Sequence, residues 1–131
     1  MDKLRVAIVG AAGGRGRWFV EQVRASPHFV LVSIVDHLVD AAKLVRDHPG
    51  VPDINVYRDT AQALDESPCD AIIVATTDAA HIGPTLEALS RGLHVYVEKP
   101  LATTVADCLS IVEADERAGG KIMVGFNLRF A

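Results

Sequence analysis

Aromatic side chains are scarce in this chain, at 5% of 131 residues, although half of its residues are hydrophobic. The apolar mass is therefore Val, Ile, Leu and Ala, the mixture that fills the strands of a parallel sheet covered on both faces. No run approaches the roughly 18 uninterrupted apolar residues that a membrane span needs, and the opening MDKLR leads into a strand-like run without a signal-peptide pattern. A soluble, cytoplasmic protein with no membrane partner is expected. Thirteen basic residues against seventeen acidic ones give a net charge of -4. No basic cluster follows the spacing of a phosphate backbone, so nucleic acid is not an expected partner. Cys69 and Cys108 stand far apart, without metal-ligand spacing or a secretory context. Neither a metal site nor a disulfide is expected, and both cysteines read as buried free thiols.

What is present is an alternation. The apolar runs LRVAIV, VLVSIV, AIIVAT, HVYVE and KIMVGF, with a weaker INVY, are separated by stretches of helical spacing. The punctuation agrees with this reading. Pro49 and Gly50 close the helical stretch after Asp40, Asp59 or Thr60 caps the next with Gln62 nearby, and Gly92 and Gly119 follow the last two. Between Thr104 and Ala118 the apolar residues Val105, Cys108, Leu109 and Val112 fall at i, i+3, i+4 and i+7, which predicts that they form the buried face of a helix. Strand and helix alternating throughout imply a doubly wound α/β domain with a mostly parallel, six-stranded sheet. At 131 residues the chain suits a single compact domain, residues 1–131, with no internal repeat or linker.

The first strand-to-helix junction, VAIVGAAGGRGRWFV, concentrates glycine at Gly10, Gly13, Gly14 and Gly16, ahead of a helix carrying Phe19, Val20 and Val23. Glycine there lets the backbone turn sharply and approach a diphosphate, which free amide donors at the helix N-terminus then hold. Ala12 and Arg15 belong to the same candidate loop. The spacing is G-x-x-G-x-x-G, or G-x-G-x-x-G with one residue inserted, and a tight turn with close helix packing accounts for it without a ligand. The second strand ends in Asp36, about 20 residues past the last glycine, where an acid accepts the hydroxyls of an adenosine ribose. A carboxylate there repels a 2'-phosphate and favours NAD over NADP, with His37 and Lys43 softening the preference. The alternative role for Asp36 is a helix cap or a solvated turn.

The ordered set VAIVGAAGGRGRW, VSIVDH, DAIIVATTDAAHIGPTLEALSRGLHVYVEKPLA and KIMVGFNLRF resembles, over essentially the whole chain, the N-terminal domain of the glucose-fructose oxidoreductase, inositol dehydrogenase and rhizopine-catabolism (Gfo/Idh/MocA) family. The most specific element is the E-K-P tripeptide after the GLHVYV strand. The resemblance implies a pyridine-nucleotide-dependent oxidoreductase acting on a sugar, a polyol or a related small molecule. It assigns Lys99 to catalysis at the reacting oxygen and Glu98 to the neighbourhood of the nicotinamide. Pro100 fixes the chain direction there and is compatible with a cis peptide. A surface ion pair on a turn is the plainer account of Glu98 and Lys99. Thr76 and Thr77 match the position of a Thr-Pro beside the nicotinamide ribose, with Thr replacing the proline. His81 matches a histidine opening the next helix, either touching the cofactor or capping and packing. Asn127 and Arg129 match polar residues near nicotinamide and substrate. Arg17 and Trp18 fit the diphosphate or adenine side, or else a solvated arginine and a packed indole.

The family continues into a second domain that carries most substrate contacts and a catalytic histidine, so a cofactor domain alone is expected here, inactive by itself. None of His28, His37, His48, His81 and His94 is assigned as the base. The apolar final strand predicts self-association and a homo-oligomer. A freestanding nucleotide-binding or redox-sensing module is the alternative, which the intact E-K-P disfavours because a pure binder has no need of that lysine.

Overall fold

The computed structural model describes residues 2–37 and 54–126. The expected helix after Asp40, together with Lys43, His48, Pro49, Gly50, Asn127 and Arg129, lies outside the described residues. Six strands, β1 (Leu4–Val9), β2 (Phe29–Val35), β3 (Asn55–Tyr57), β4 (Ala71–Val74), β5 (His94–Glu98) and β6 (Ile122–Gly125), form one sheet in the order β3-β2-β1-β4-β5-β6. Every pairing is parallel. Strand order reverses between β1 and β4, which opens a crevice at their carboxyl ends.

Helices cover both faces. Phe19, Val20 and Val23 of α1 (Gly14–Ala25) pack with Val6, Ile8 and Ile34 on one side. On the other, α2 (Thr60–Glu66), α3 (Ile82–Ser90) and α4 (Val105–Ala118) bring Ala63, Leu64, Ala88, Leu89 and Ile111 against Ala7, Val9, Ile72, Val74, Val95 and Val97. Val6 to Val9 are buried without a break, as strands covered on both faces require.

The helix boundaries have local causes. The Asp59 carboxylate accepts from the Gln62 N–H at 2.9 Å, and the Thr104 hydroxyl accepts from Asp107 N–H at 3.1 Å, so each satisfies an amide that the first turn leaves over. Gly119 ends α4 with φ +86°, the left-handed cap that glycine adopts without a Cβ clash.

The buried face of α4 differs from expectation. Val105, Leu109 and Val112 are exposed, at 77%, 57% and 44%, and Cys108 is only half-buried. Ile111 is fully buried, with Ala114 and Ala118 packed against the same core. The helix therefore meets the core through Ile111, Ala114 and Ala118, at i, i+3 and i+7, and turns Val105, Leu109 and Val112 outward. Of the two thiols only Cys69 is buried, and burial pushes its pKa up.

Truncation separates the two faces. Ile111→Ala is expected to destabilise the chain by about 2–5 kcal/mol, whereas Leu109→Ala should change stability by no more than about 0.5 kcal/mol. Urea unfolding of the two variants checks the assignment, and comparable losses would restore the Val105–Leu109–Val112 face.

Candidate functional site

The carboxyl end of β1 meets three neighbours within a few ångströms. Gly10 has φ +88°, and a Cβ on it would lie 2.6 Å from the Ala75 carbonyl group and the Thr76 nitrogen at the end of β4. A Cβ on Gly16, in the first turns of α1, would lie 1.9 Å from the Gly10 carbonyl oxygen. These two glycines are packing requirements. Gly13 and Gly14 are different: a Cβ on Gly13 meets nothing nearer than 3.8 Å and one on Gly14 nothing within 4 Å, so their surface is open. Gly13 caps α1 without a side-chain hydrogen bond, and no acidic residue occupies the first turn. The helix thus presents its N-terminal amides and positive dipole end to the crevice, the arrangement that accepts a phosphate group.

Asp36, 7% exposed, stands at the end of β2 and accepts from the Ala12 N–H at 3.0 Å. The carboxylate therefore fixes the glycine loop as well as facing the crevice, and it is neither a solvated turn residue nor remote from the loop. His37 beside it is tethered to the segment after β3, its Nδ1 lying against the Arg58 carbonyl while Arg58 Nη2 donates to the His37 carbonyl at 3.1 Å. A cavity of about 300 Å³ runs past Gly10, Gly13, Gly14, Asp36, His37, Thr76 and Thr77.

A second cavity, of about 350 Å³, shares Arg15, Ala75 and Thr76 with the first and adds Asp78, His81, Glu98 and Lys99. Glu98 does not pair with Lys99. Its Oε1 lies 3.4 Å from Arg15 Nη2, so the ion pair joins the glycine loop to the end of β5 across the crevice. The Arg15 guanidinium also lies over the Trp18 ring, 4.6 Å from its centroid, and 5.3 Å from that of Phe19. Lys99 is exposed and has no hydrogen-bond or ion-pair partner among the described residues. The Lys99–Pro100 peptide is cis. Thr77 has φ -63° and ψ 154°, angles that a proline would also take, so the replacement keeps the backbone path. His81 is buried behind this wall, with its ring nitrogens against the Pro100 and Thr76 carbonyls. Arg17 and Trp18 lie exposed on α1. Trp18 stacks edge-on with Phe19 and borders a larger cavity of about 520 Å³, away from the crevice.

That larger cavity is an apolar groove over β4, β5 and β6, lined by Phe19, Ile73, Tyr96 and Met123 and reaching the amino ends of the strands at Ala71 and His94. Size favours it, but chemistry favours the crevice, where charged groups, open helix amides and an exposed lysine converge. Among the described residues no cluster of His, Cys, Asp and Glu is arranged to hold a metal, and no helix is long and apolar enough to cross a membrane.

Sequence reasoning missed three features. The Arg15–Glu98 pair spans 83 positions, and no local pattern announces it. Arg58, just past β3, reaches the loop beside Asp36, and its only signal was a cation following a strand. Tyr96 alternates within β5 and packs edge-on against Phe19 at 5.5 Å, its hydroxyl pKa raised by burial and then by the Glu98 charge.

A six-stranded parallel sheet reversing at a glycine-lined crevice, with an acid ending β2, defines a dinucleotide-binding α/β domain. The Gfo/Idh/MocA model, described as an oxidoreductase family with an NAD-binding Rossmann fold, matches residues 4–126, and the chain belongs to that family. Inositol 2-dehydrogenase of Arthrobacter sp. (strain FB24) is 34% identical over 131 residues, covering 98% of this chain and 38% of its own length. The enzyme of the same name from Klebsiella pneumoniae subsp. pneumoniae is 34% identical over 125 residues, covering 94% of this chain and 36% of its own. A dehydrogenase from Chromobacterium violaceum superposes with a TM-score of 0.89 at 26% identity, over 100% of this chain and 38% of that one. The chain thus spans a little over a third of the length of these relatives.

The two classes of glycine predict different tolerances. Gly16→Ala should cost about 1–3 kcal/mol, because backbone must move to admit the methyl group, while Gly14→Ala should cost nothing. Thermal unfolding of each variant without ligand checks this, and equal melting temperatures would contradict the close packing of α1 on Gly10.

Proposed function

We propose that this chain is the cofactor-binding part of an NAD-dependent dehydrogenase whose substrate is a sugar or a polyol of the inositol kind. The observation that carries the reading is one continuous crevice with an open helix N-terminus and a buried acid at one end and, at the other, a lysine that has no partner among the described residues. The residues suit NAD in order. Gly13, Gly14 and the first amides of α1 would hold the diphosphate, Asp36 the adenosine ribose, and Thr76, Thr77 and Glu98 would line the nicotinamide end. NAD bound there supplies the hydride acceptor. Lys99 acts on the substrate: its ammonium donates to the oxygen of the carbon being oxidised, stabilises the negative charge that grows there and eases loss of the hydroxyl proton. Glu98, held by Arg15, keeps a fixed charge beside that lysine and limits the wandering of the β5 end.

In this reading residues 1–131 supply the cofactor half, and substrate contacts and the accepting base come from sequence outside them, as the greater length of the relatives suggests. Assembly into a homo-oligomer belongs to the same proposal. It is supported by the apolar edge strand β6, where Met123 is 61% exposed.

The cofactor assignment has a direct test in fluorescence titration of the chain with NADH and NADPH. NADH should bind more tightly, and Asp36→Ala should narrow the gap by about 1–3 kcal/mol, the worth of hydrogen bonds to a charged group. Equal affinities in the unsubstituted chain would refute the ribose role of Asp36.

A further inference from the structure

The crevice wall between β4 and β5 depends on a side chain that the proposed chemistry does not use. The ladder between these strands ends at the pair Val74 and Val97. Beyond it the segments carrying Thr76 and Lys99 leave the sheet with no strand pairing to hold them together. His81, at the start of α3 and only 1% exposed, fills that gap. Its Nδ1 lies 2.7 Å from the Pro100 carbonyl oxygen, one residue past Lys99, and its Nε2 lies 3.2 Å from the Thr76 carbonyl oxygen. A neutral imidazole has one N–H to give, and the shorter contact places that donation at the Pro100 carbonyl, so the start of α3 is tied to the segment leaving β5 while the Nε2 edge of the ring packs against the Thr76 segment.

We infer that His81 is a positioning residue: it braces the end of β4 to the end of β5 and so sets the width of the crevice at its Lys99 end, without touching the cofactor. The inference rests on the nucleotide-binding reading above and assigns His81 a role distinct from direct contact. With both ring nitrogens on backbone carbonyls, the imidazole has no polar atom left to offer a ligand. The closer contact at Nδ1 requires a proton there, because two lone pairs at that distance repel. A brace at this end affects ligands by how far they extend. ADP-ribose reaches the diphosphate loop and Asp36 but lacks the nicotinamide ring, whereas NADH extends along the β4–β5 wall.

The test compares the two ligands by titration calorimetry on the 131-residue chain and two variants. His81→Leu should weaken NADH binding about five- to tenfold, the loss of one net hydrogen bond. ADP-ribose binding should stay within about twofold. His81→Asn, whose side-chain amide replaces the Nδ1 donor to the Pro100 carbonyl, should recover most of the NADH affinity. Equal weakening of both ligands, or no weakening of either, would overturn the brace. Nitrogen NMR of the His81 ring in the unliganded chain gives an independent decision. A protonated Nδ1 is expected, and a neutral ring protonated only at Nε2 would overturn the proposal whatever the variants do. Failure of the unsubstituted chain to bind either ligand would instead refute the nucleotide-binding reading, and the ring measurement would still decide the brace.

Discussion

Everything at the carboxyl edge of this sheet depends on one close approach of backbone to backbone. Gly10 has the end of β4 on one side, where a Cβ would meet Ala75 at 2.6 Å, and Gly16 of α1 on the other, where a Cβ would meet the Gly10 carbonyl at 1.9 Å. Three elements share a space that holds no side chain. The consequence is positional: α1 starts low and tight against β1, its first amides open toward β4, and the loop between them lies close enough for Asp36 to accept from Ala12. A larger residue at either glycine would lift the helix away and uncouple the loop from the acid.

The charges of the crevice are arranged around that geometry. Arg15, carried on the first turn of α1, reaches across to Glu98, so the glycine loop and the end of β5 are held at a fixed separation by an ion pair whose carboxylate side is largely buried. With its guanidinium side half in solvent and its atoms 3.4 Å apart, the pair contributes little to stability. Its effect here is orientation, because occupying Glu98 with Arg15 leaves the neighbouring Lys99 ammonium without an internal partner among the described residues. A lysine at a strand end, near a helix terminus with open amides and beside a carboxylate paired elsewhere, fits the proposed role of acting on charge that develops in a bound molecule.

The rhythm of the fold was legible because each signal was local. Continuous apolar runs, Asp59 and Thr104 at helix starts and Gly119 at a helix end are each readable within a turn or two of chain. The glycine loop, Asp36 and the E-K-P tripeptide were legible for the same reason. What escaped was anything decided by partners distant in sequence. On α4 two apolar stripes compete, and Val105, Leu109 and Val112 face outward while Ile111, Ala114 and Ala118 face the core, a choice set by distant packing partners and not by the local pattern. Glu98 has an obvious neighbour in Lys99, yet pairs with Arg15 from the other side of the crevice. His81 reads equally as a ligand or a packing residue until both carbonyls around its ring are known.

The central proposal, that Lys99 stabilises charge at the reacting oxygen while the rest of the crevice holds the cofactor, is tested most directly by steady-state kinetics and NAD binding of Lys99→Ala in the full-length dehydrogenase proposed to carry this domain. Turnover on the proposed polyol or sugar should fall by about 100-fold or more while NAD affinity stays within about tenfold, as the proposed action of the ammonium in the transition state rather than on the bound nucleotide requires. Turnover that survives the substitution unchanged would contradict the account and leave Lys99 a turn residue.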